Sequence, residues 1–498
     1  MNIEDIKSPL PERKIEMPVE EEEVKPETVE PRMTLPTPEP EKNGLGGSGK
    51  KFDFKKNLKW IMVGVGILIL ILVAGILIKN GKKDKTVTLN YWGLWEDENV
   101  MNGVIADFEA KNPGIKIQYK RNQKNDYRSR LSGRLAKTGT QEVDIPDIFR
   151  IHNTWIPMFR DYLAPVPTET AKTIGLATDF FDVYSQDLKE NGSYLSVPLM
   201  YDGLALFYNK DLLKTAGVEL PKSWWELEQA AIKLTSKDEK DKIKIAGLAM
   251  GLTDNVDHWS DILGLMMKQG GINLIKLDTA SETSLKDTLA FYSLFATQDK
   301  VWDETLPNST TMFANGKLAF YFGPSWRVFD IEQINKKLNY GIMSVPQLTT
   351  SGLPNDTNVE ARLTNIHWAS YWTEGVNNKS KHQKEAWKFL EYLSSSETLE
   401  KMYAAESQIR SFGEMYPRKS LADKMNQNSK TQPFTSVANT ATSWYLASET
   451  DDGGVNDGMN KYFGDAINSL IKNKDIDEVI TTLKSGISQI KQKYNLKR

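Results

Sequence analysis

Side chains able to do covalent or metal chemistry are sparse in this chain. Its four histidines, His152, His258, His367 and His382, stand far apart, and there is no cysteine. Closely spaced zinc ligands, thiol nucleophiles, disulfides and lipid attachment through cysteine therefore drop out together. Asp97, Asp147 and Asp202 are carboxylates of the kind a glycoside hydrolase employs, yet no spacing singles out an acid and base pair. The stretch TDDGGVNDG, Thr450 to Gly458, has the acids and glycines of a cation loop. It lacks the alternating ligands and closing glutamate that calcium requires, and reads as a solvated turn. No glycine loop ending in Lys-Ser or Lys-Thr is present to cradle a nucleotide, so ATP hydrolysis is not expected. Neither a metal nor a cofactor is expected, and the chain is not read as an enzyme. What remains is recognition. Thirteen tryptophans offer flat apolar faces, and such faces with polar groups at strand ends bind neutral, sugar-like solutes by covering C–H surfaces and pairing hydroxyls.

Positioning such groups requires a scaffold, and most of the 498 residues have the composition of one. Hydrophobic residues make up 40% and charged residues 26%, with a net charge of -3, which excludes a general affinity for nucleic acid. Val87, Leu89 and Tyr91 alternate as in a strand, then Val100, Val104 and Phe108 recur at helical spacing until Asn112-Pro113-Gly114. IKIQYK resumes as a strand, completing a βαβ unit with parallel pairing. DIFRI, YLSVP, LALFYN, IAGLAM, KLAFYFG and YGIMSVP continue the series between helical stretches, so the fold class is α/β. Ser223 followed by Glu226 forms a capping box at one helix start, and Gly217 closes the helix before it. Trp224 and Trp225 then sit in a first helical turn and are read as packing residues. Ala386, Phe389, Leu390 and Leu393 mark one amphipathic helix, and Val479, Leu483, Ile487 and Ile490 another.

The N-terminal region follows different rules. Trp60 to Ile78 is a charge-free apolar run, matching the ~20 residues that cross a ~30 Å hydrocarbon layer. We read 57–79 as a transmembrane helix, 1–56 as a disordered acidic, proline-rich tail and 80–85 as a linker. Lys50, Lys51, Lys55, Lys56 and Lys59 slightly outweigh the lysines after the run, which puts the tail in the cytoplasm and residues 86–498 outside.

Tyr194 to Thr235, YLSVPLMYDGLALFYNKDLLKTAGVELPKSWWELEQAAIKLT, resembles the signature region of the extracellular solute-binding proteins that include the maltose-binding type. VIADFEAKNPGIKIQYK, IPDIFRI, MFANGKLAFYFGPSW and KHQKEAWKFLEYLSSSETLEKM resemble further segments in the family's order. The resemblance implies a two-lobed periplasmic-binding-protein-like fold with a hinge and an interlobe cleft. Lobe 1 would span about 86–200 and 346–395, and lobe 2 about 201–345 and 396–498, with a first crossing near Leu199 to Gly203. It also implies contact positions: Trp95 and Glu96 after the first strand; His152, Asn153 and Thr154 after DIFRI; Tyr201 and Asp202 at the crossing; Trp326 and Arg327 in GPSWR; and Trp444 with Tyr445 as an aromatic pair. At several of these, packing in the core is the competing reading. His367 reads as a hydrogen-bonded structural residue. The implied role is capture of a small solute, most simply a mono- or oligosaccharide, for the permease subunits of an ABC importer, with one helix in the lipid bilayer. A membrane-anchored carbohydrate-active enzyme and a sensory or adhesive ectodomain are the rival functions. The anchor departs from the family's commoner plan of a free or lipidated protein.

Overall fold

The computed structural model describes residues 86–137, 144–349 and 363–497. The expected tail, membrane helix and linker lie outside the described residues. Among the described residues, no helix is long and apolar enough to cross a membrane.

The first lobe begins with β1 (Val87–Gly93), which buries Leu89 and Tyr91. Asp97 caps α1 (Glu98–Lys111) by accepting from the Asn99 N–H, and Val100, Val104 and Phe108 turn inward. The helix stops at Asn112, and β2 (Ile115–Arg121) pairs in parallel with β1, as the βαβ pattern requires. β3 (Ile148–His152) and the short β4 (Val197–Pro198) follow.

The second lobe opens with β5 (Ala205–Asn209). α2 (Trp224–Leu234) carries the expected capping box between Ser223 and Glu226, and Gly217 ends the preceding helix in the left-handed conformation at φ 58°. Trp224 stacks on Phe322, centroids 5.5 Å apart, whereas Trp225 stays 48% exposed. β6 (Ser236–Lys237), β7 (Ile243–Leu248), α3 (Trp259–Gln269), α4 (Thr279–Thr297), β8 (Leu318–Gly323), α5 (Arg327–Ile334) and β9 (Tyr340–Met343) complete the run.

The chain then returns through β10 (His367–Trp368) and β11 (Trp372–Val376) to α6 (Gln383–Leu393) and α7 (Ser396–Glu406). β12 (Ala441–Thr442) pairs with β10, and α8 (Val455–Ile471) and α9 (Ile476–Tyr494) close the fold. The first sheet has the order β2-β1-β3-β11-β4 and the second β9-β5-β8-β7-β6. α8 and α9 pack on each other and on α4 of the second lobe. α7, which the sequence reading placed with the second lobe, packs on α1 of the first. Its buried Leu399 and Met402 supply the apolar side for that contact.

The two crossings touch. Leu204 N–H donates to the Trp368 carbonyl at 3.1 Å, and Ser370 N–H to that of Asp202 at 3.0 Å. Gly203 sits between them, where a Cβ would fall 2.2 Å from the Trp368 oxygen, so only glycine fits.

Candidate functional site

β1 and β3 run parallel and β11 runs against β3 with Trp372 opposite His152, so the ends of β1 and β3 and the start of β11 share one sheet edge. In the second sheet Gly323 at the end of β8 pairs with Ala205 at the start of β5. Asp202 and Ser325, just beyond those two residues, are therefore brought together. Between these edges lies a cavity of about 430 Å³. Trp95, His152 and Trp372 line it from the first lobe, Trp326 and Arg327 from the second, and Asp202, Trp368 and Ser370 from the crossings.

The aromatic walls are fixed by their polar edges. Trp95 donates its indole N–H to Glu414 at 3.2 Å and meets Trp372 edge to face at 5.3 Å. Behind its ring, 5.1 Å from the centroid, lies the guanidinium of the buried Arg150, which is paired with Glu96 and with Glu374. Trp368 donates to Asp261 at 2.9 Å. Trp326 has Arg327 over one face at 4.2 Å and His258 edge-on at 5.7 Å. With their N–H groups committed, Trp95 and Trp368 can offer a solute only apolar ring surface.

The lysine and arginines of the wall are matched. Lys124 pairs with Glu449 and Asp451, Arg327 with Asp330, and Arg410 with Glu406 and Glu414. Arg327 also donates from Nε to His258 Nε2 at 2.9 Å. Asp202 accepts from the Gly203 and Ser325 N–H groups and the Ser325 hydroxyl at 2.7, 3.1 and 2.9 Å. Burial nevertheless pushes its carboxyl up to about 7, because no cation repays the lost hydration. Burial moves His152 the other way, down to about 3, so its ring is neutral.

Of the residues proposed from sequence, Trp95, His152, Asp202, Trp326 and Arg327 stand in the cavity wall. The others are elsewhere. Glu96 is the buried partner of Arg150 and accepts from the Tyr119 hydroxyl. Asn153 and Thr154 enter a 3-10 turn that carries them inward, where the Asn153 amide donates to Asp187 at 2.8 Å and to Ser443 at 3.2 Å. Tyr201 is buried edge-on to Phe181 at 5.1 Å. Trp444 and Tyr445 pack on each other at 5.6 Å, and Trp444 meets Phe463 of α8 as well as a separate hollow of about 410 Å³. The TDDGG turn is not solvated as expected: Asp452 is 1% exposed and accepts from the N–H groups of Gly454, Asn456 and Asp457. Among the described residues, no group of His, Asp and Glu side chains is arranged to hold a metal. His367 bonds Thr440 and Gln347 as a structural residue.

Sequence reasoning missed Trp368, Ser370, Trp372, Phe412 and Glu414 in the same wall. NIHWASYW did carry a signal for the first three, an aromatic-rich break between two short strands. Nothing in RSFGEM marks the last two.

A family model described as "Bacterial extracellular solute-binding protein" matches residues 94–400, more than half of the chain. The chain is 25% identical to a multiple sugar-binding protein of Streptococcus mutans, over 77% of this chain and 91% of that protein. It is 26% identical to the sn-glycerol-3-phosphate-binding periplasmic protein of Escherichia coli, over 64% and 72% respectively. Among solved structures, the sugar-binding protein MalE of Xanthomonas citri superposes with a TM-score of 0.63 at 20% identity, covering 82% of this chain and 98% of that one. A cyclo/maltodextrin-binding protein complexed with maltotetraose gives 0.62 at 16% identity, covering 82% and 99%. These structures share the two-lobed α/β fold, whose lobes here meet at zipped crossings around an aromatic cavity. The chain belongs to the bacterial extracellular solute-binding proteins, a family defined by binding rather than turnover.

Proposed function

We propose that this protein captures an uncharged carbohydrate in the interlobe cavity and delivers it to the permease subunits of an ABC importer. One observation carries the reading: tryptophan faces line the cavity together with carboxylates, while the cations lining it, Lys124, Arg327 and Arg410, are each already held in ion pairs. Sugar rings stack on such faces, and their hydroxyls pair with such carboxylates. The Streptococcus mutans relative is a sugar-binding protein, which supports the reading. The Escherichia coli relative is named for a phosphate ester. A phosphate would have to displace one of these ion pairs, a substitution that costs desolvation without a free cation to offset it.

The charge-free run within 57–79 tethers the protein to the cell membrane as a single pass, with 1–56 in the cytoplasm and the solute-binding lobes outside. Solute then draws the lobes together about the crossings near Leu199 to Gly203, a hinge that leaves each sheet intact. Thermal-shift screening of the detergent-solubilised full chain tests the reading. A neutral sugar should raise the melting temperature, since it binds only the folded state. Stabilisation by sn-glycerol-3-phosphate with none by any neutral sugar overturns it.

A further inference from the structure

The cavity's ion-paired carboxylates, Asp330, Glu414 and Glu449, can only accept hydrogen bonds, and Asp202 and the Ser325 hydroxyl are spent on each other at 2.9 Å. Ser370 is different. It lines the cavity, and its N–H is fixed on the Asp202 carbonyl at 3.0 Å. Its hydroxyl oxygen lies 3.1 Å from His152 Nε2, and among the described residues that hydroxyl makes no other bond. Which of the two atoms holds the shared hydrogen decides what Ser370 can do for a solute.

The answer comes from the far side of the imidazole. Asn456 Nδ2 lies 3.2 Å from Asp452 Oδ2 and 2.6 Å from Thr154 Oγ1. A carboxylate beside the amide accepts only, so the NH2 must face it and the Thr154 oxygen accepts from the same group. The single hydrogen of the Thr154 hydroxyl is then directed to His152 Nδ1, 2.7 Å away. The Thr154 backbone N–H points at the same nitrogen from 3.4 Å. Nδ1 is thus an acceptor, and the neutral ring carries its proton on Nε2. Nε2–H donates to Ser370 Oγ, which leaves the Ser370 hydrogen for the cavity.

We propose that Ser370 is the hydrogen-bond donor that sets solute specificity in this cavity, oriented by a relay running from Asp452 through Asn456, Thr154 and His152. His152 and Thr154 are positioning residues here. Thr154 lies behind His152 and is not part of the cavity wall, yet it decides whether Ser370 gives or takes a hydrogen. The preferred solute presents an oxygen without an obligatory hydrogen to Ser370, such as a ring, glycosidic or hydroxyl oxygen, and an ammonium at that point is rejected. The inference rests on the carbohydrate reading for the nature of the solute, but the relay itself does not.

The test uses the full-length chain and separates the two. In protein carrying 15N-labelled histidine, the ring-nitrogen shifts should show His152 protonated on Nε2 in the wild type and in Thr154→Ser. Thr154→Val, which keeps the shape and removes the hydroxyl, should admit the Nδ1-protonated form. In titrations with D-tagatose, mannobiose and maltotetraose, ligands of structurally similar proteins, Ser370→Ala should weaken binding of whichever sugar binds by about tenfold. Thr154→Val should weaken it comparably, and Thr154→Ser should restore it to within about twofold. A wild-type His152 protonated on Nδ1 overturns the relay whatever binds. Undiminished affinity in Ser370→Ala overturns the role of Ser370. If none of the three sugars binds, the carbohydrate reading is weakened for these probes, while the tautomer still decides the relay.

Discussion

The two walls of the cavity each set a tryptophan against a guanidinium, and they do so at different depths. Trp95 lies over Arg150, which is 2% exposed and enclosed by Glu96, Glu374 and the Tyr91 hydroxyl at 3.1 Å from Glu374. Trp326 lies over Arg327, a partly exposed side chain whose partner Asp330 is on the surface of α5. Arg150 can be hydrated only by unfolding the lobe, whereas Arg327 keeps part of its water. The first wall is therefore continuous with the core, and damage to it should appear as lost stability. The second is a rim, and damage to it should appear as lost affinity.

Arg150→Ala should have the largest effect. It strands Glu374 without a cation and should cost roughly 3–5 kcal/mol in a urea melt; a shift of under about 1 kcal/mol would erase the contrast between the walls. Trp444→Ala sharpens it from the other side. As a core residue it should lose about 3–5 kcal/mol of stability with solute affinity unchanged in the folded fraction. Trp326→Ala should weaken solute binding by about 1–3 kcal/mol, the cost of one lost stacking face, with a near-normal unfolding midpoint. A collapsed midpoint there would move Trp326 from rim to core.

Asp202 adds a pH test at the crossing between the walls. Its folded carboxyl titrates near 7 rather than at 3.8, so the folded state binds a proton that the unfolded state has released. That contribution is fully present below pH ~4 and is lost as pH rises through about 7, with a limiting slope near 1.4 kcal/mol per pH unit. Asp202→Asn should remove this slope from the difference between melts at pH 5 and pH 7.5. His152, held near 3, works in the opposite sense as pH falls below its ordinary 6.5, so the comparison with the variant isolates Asp202. Lys124→Ala should matter least, under about 1 kcal/mol and less still at high salt, because its pairs with Glu449 and Asp451 are partly exposed.

Legibility in the sequence tracked how local the cause was. β1, α1 and β2 were readable because alternation, helical spacing and Asn112-Pro113-Gly114 are written within a few residues. The capping box at α2 was readable for the same reason. Trp326 could be singled out because it follows the apolar run FYFG and a proline. Trp372 could not, since what turns it into the wall is pairing with His152, far away in the chain. Asn153 and Thr154 were misplaced because a polar pair after a strand faces either a cleft or the interior according to one 3-10 turn. For α7, the end of α6 gave no sign of which lobe the next helix would join.

The order β2-β1-β3-β11-β4 has a consequence for the timing of assembly. β11 lies between two strands that precede it in the chain, so β4 has no neighbour in its sheet until residue 376 has been made. At about 5–20 residues per second, synthesis of the intervening second lobe takes on the order of ten seconds or more. Throughout that interval the first lobe exposes an open strand edge, and it cannot lock into its final form. A lobe that works outside the cytoplasm is kept unfinished by its own strand order until most of the chain exists.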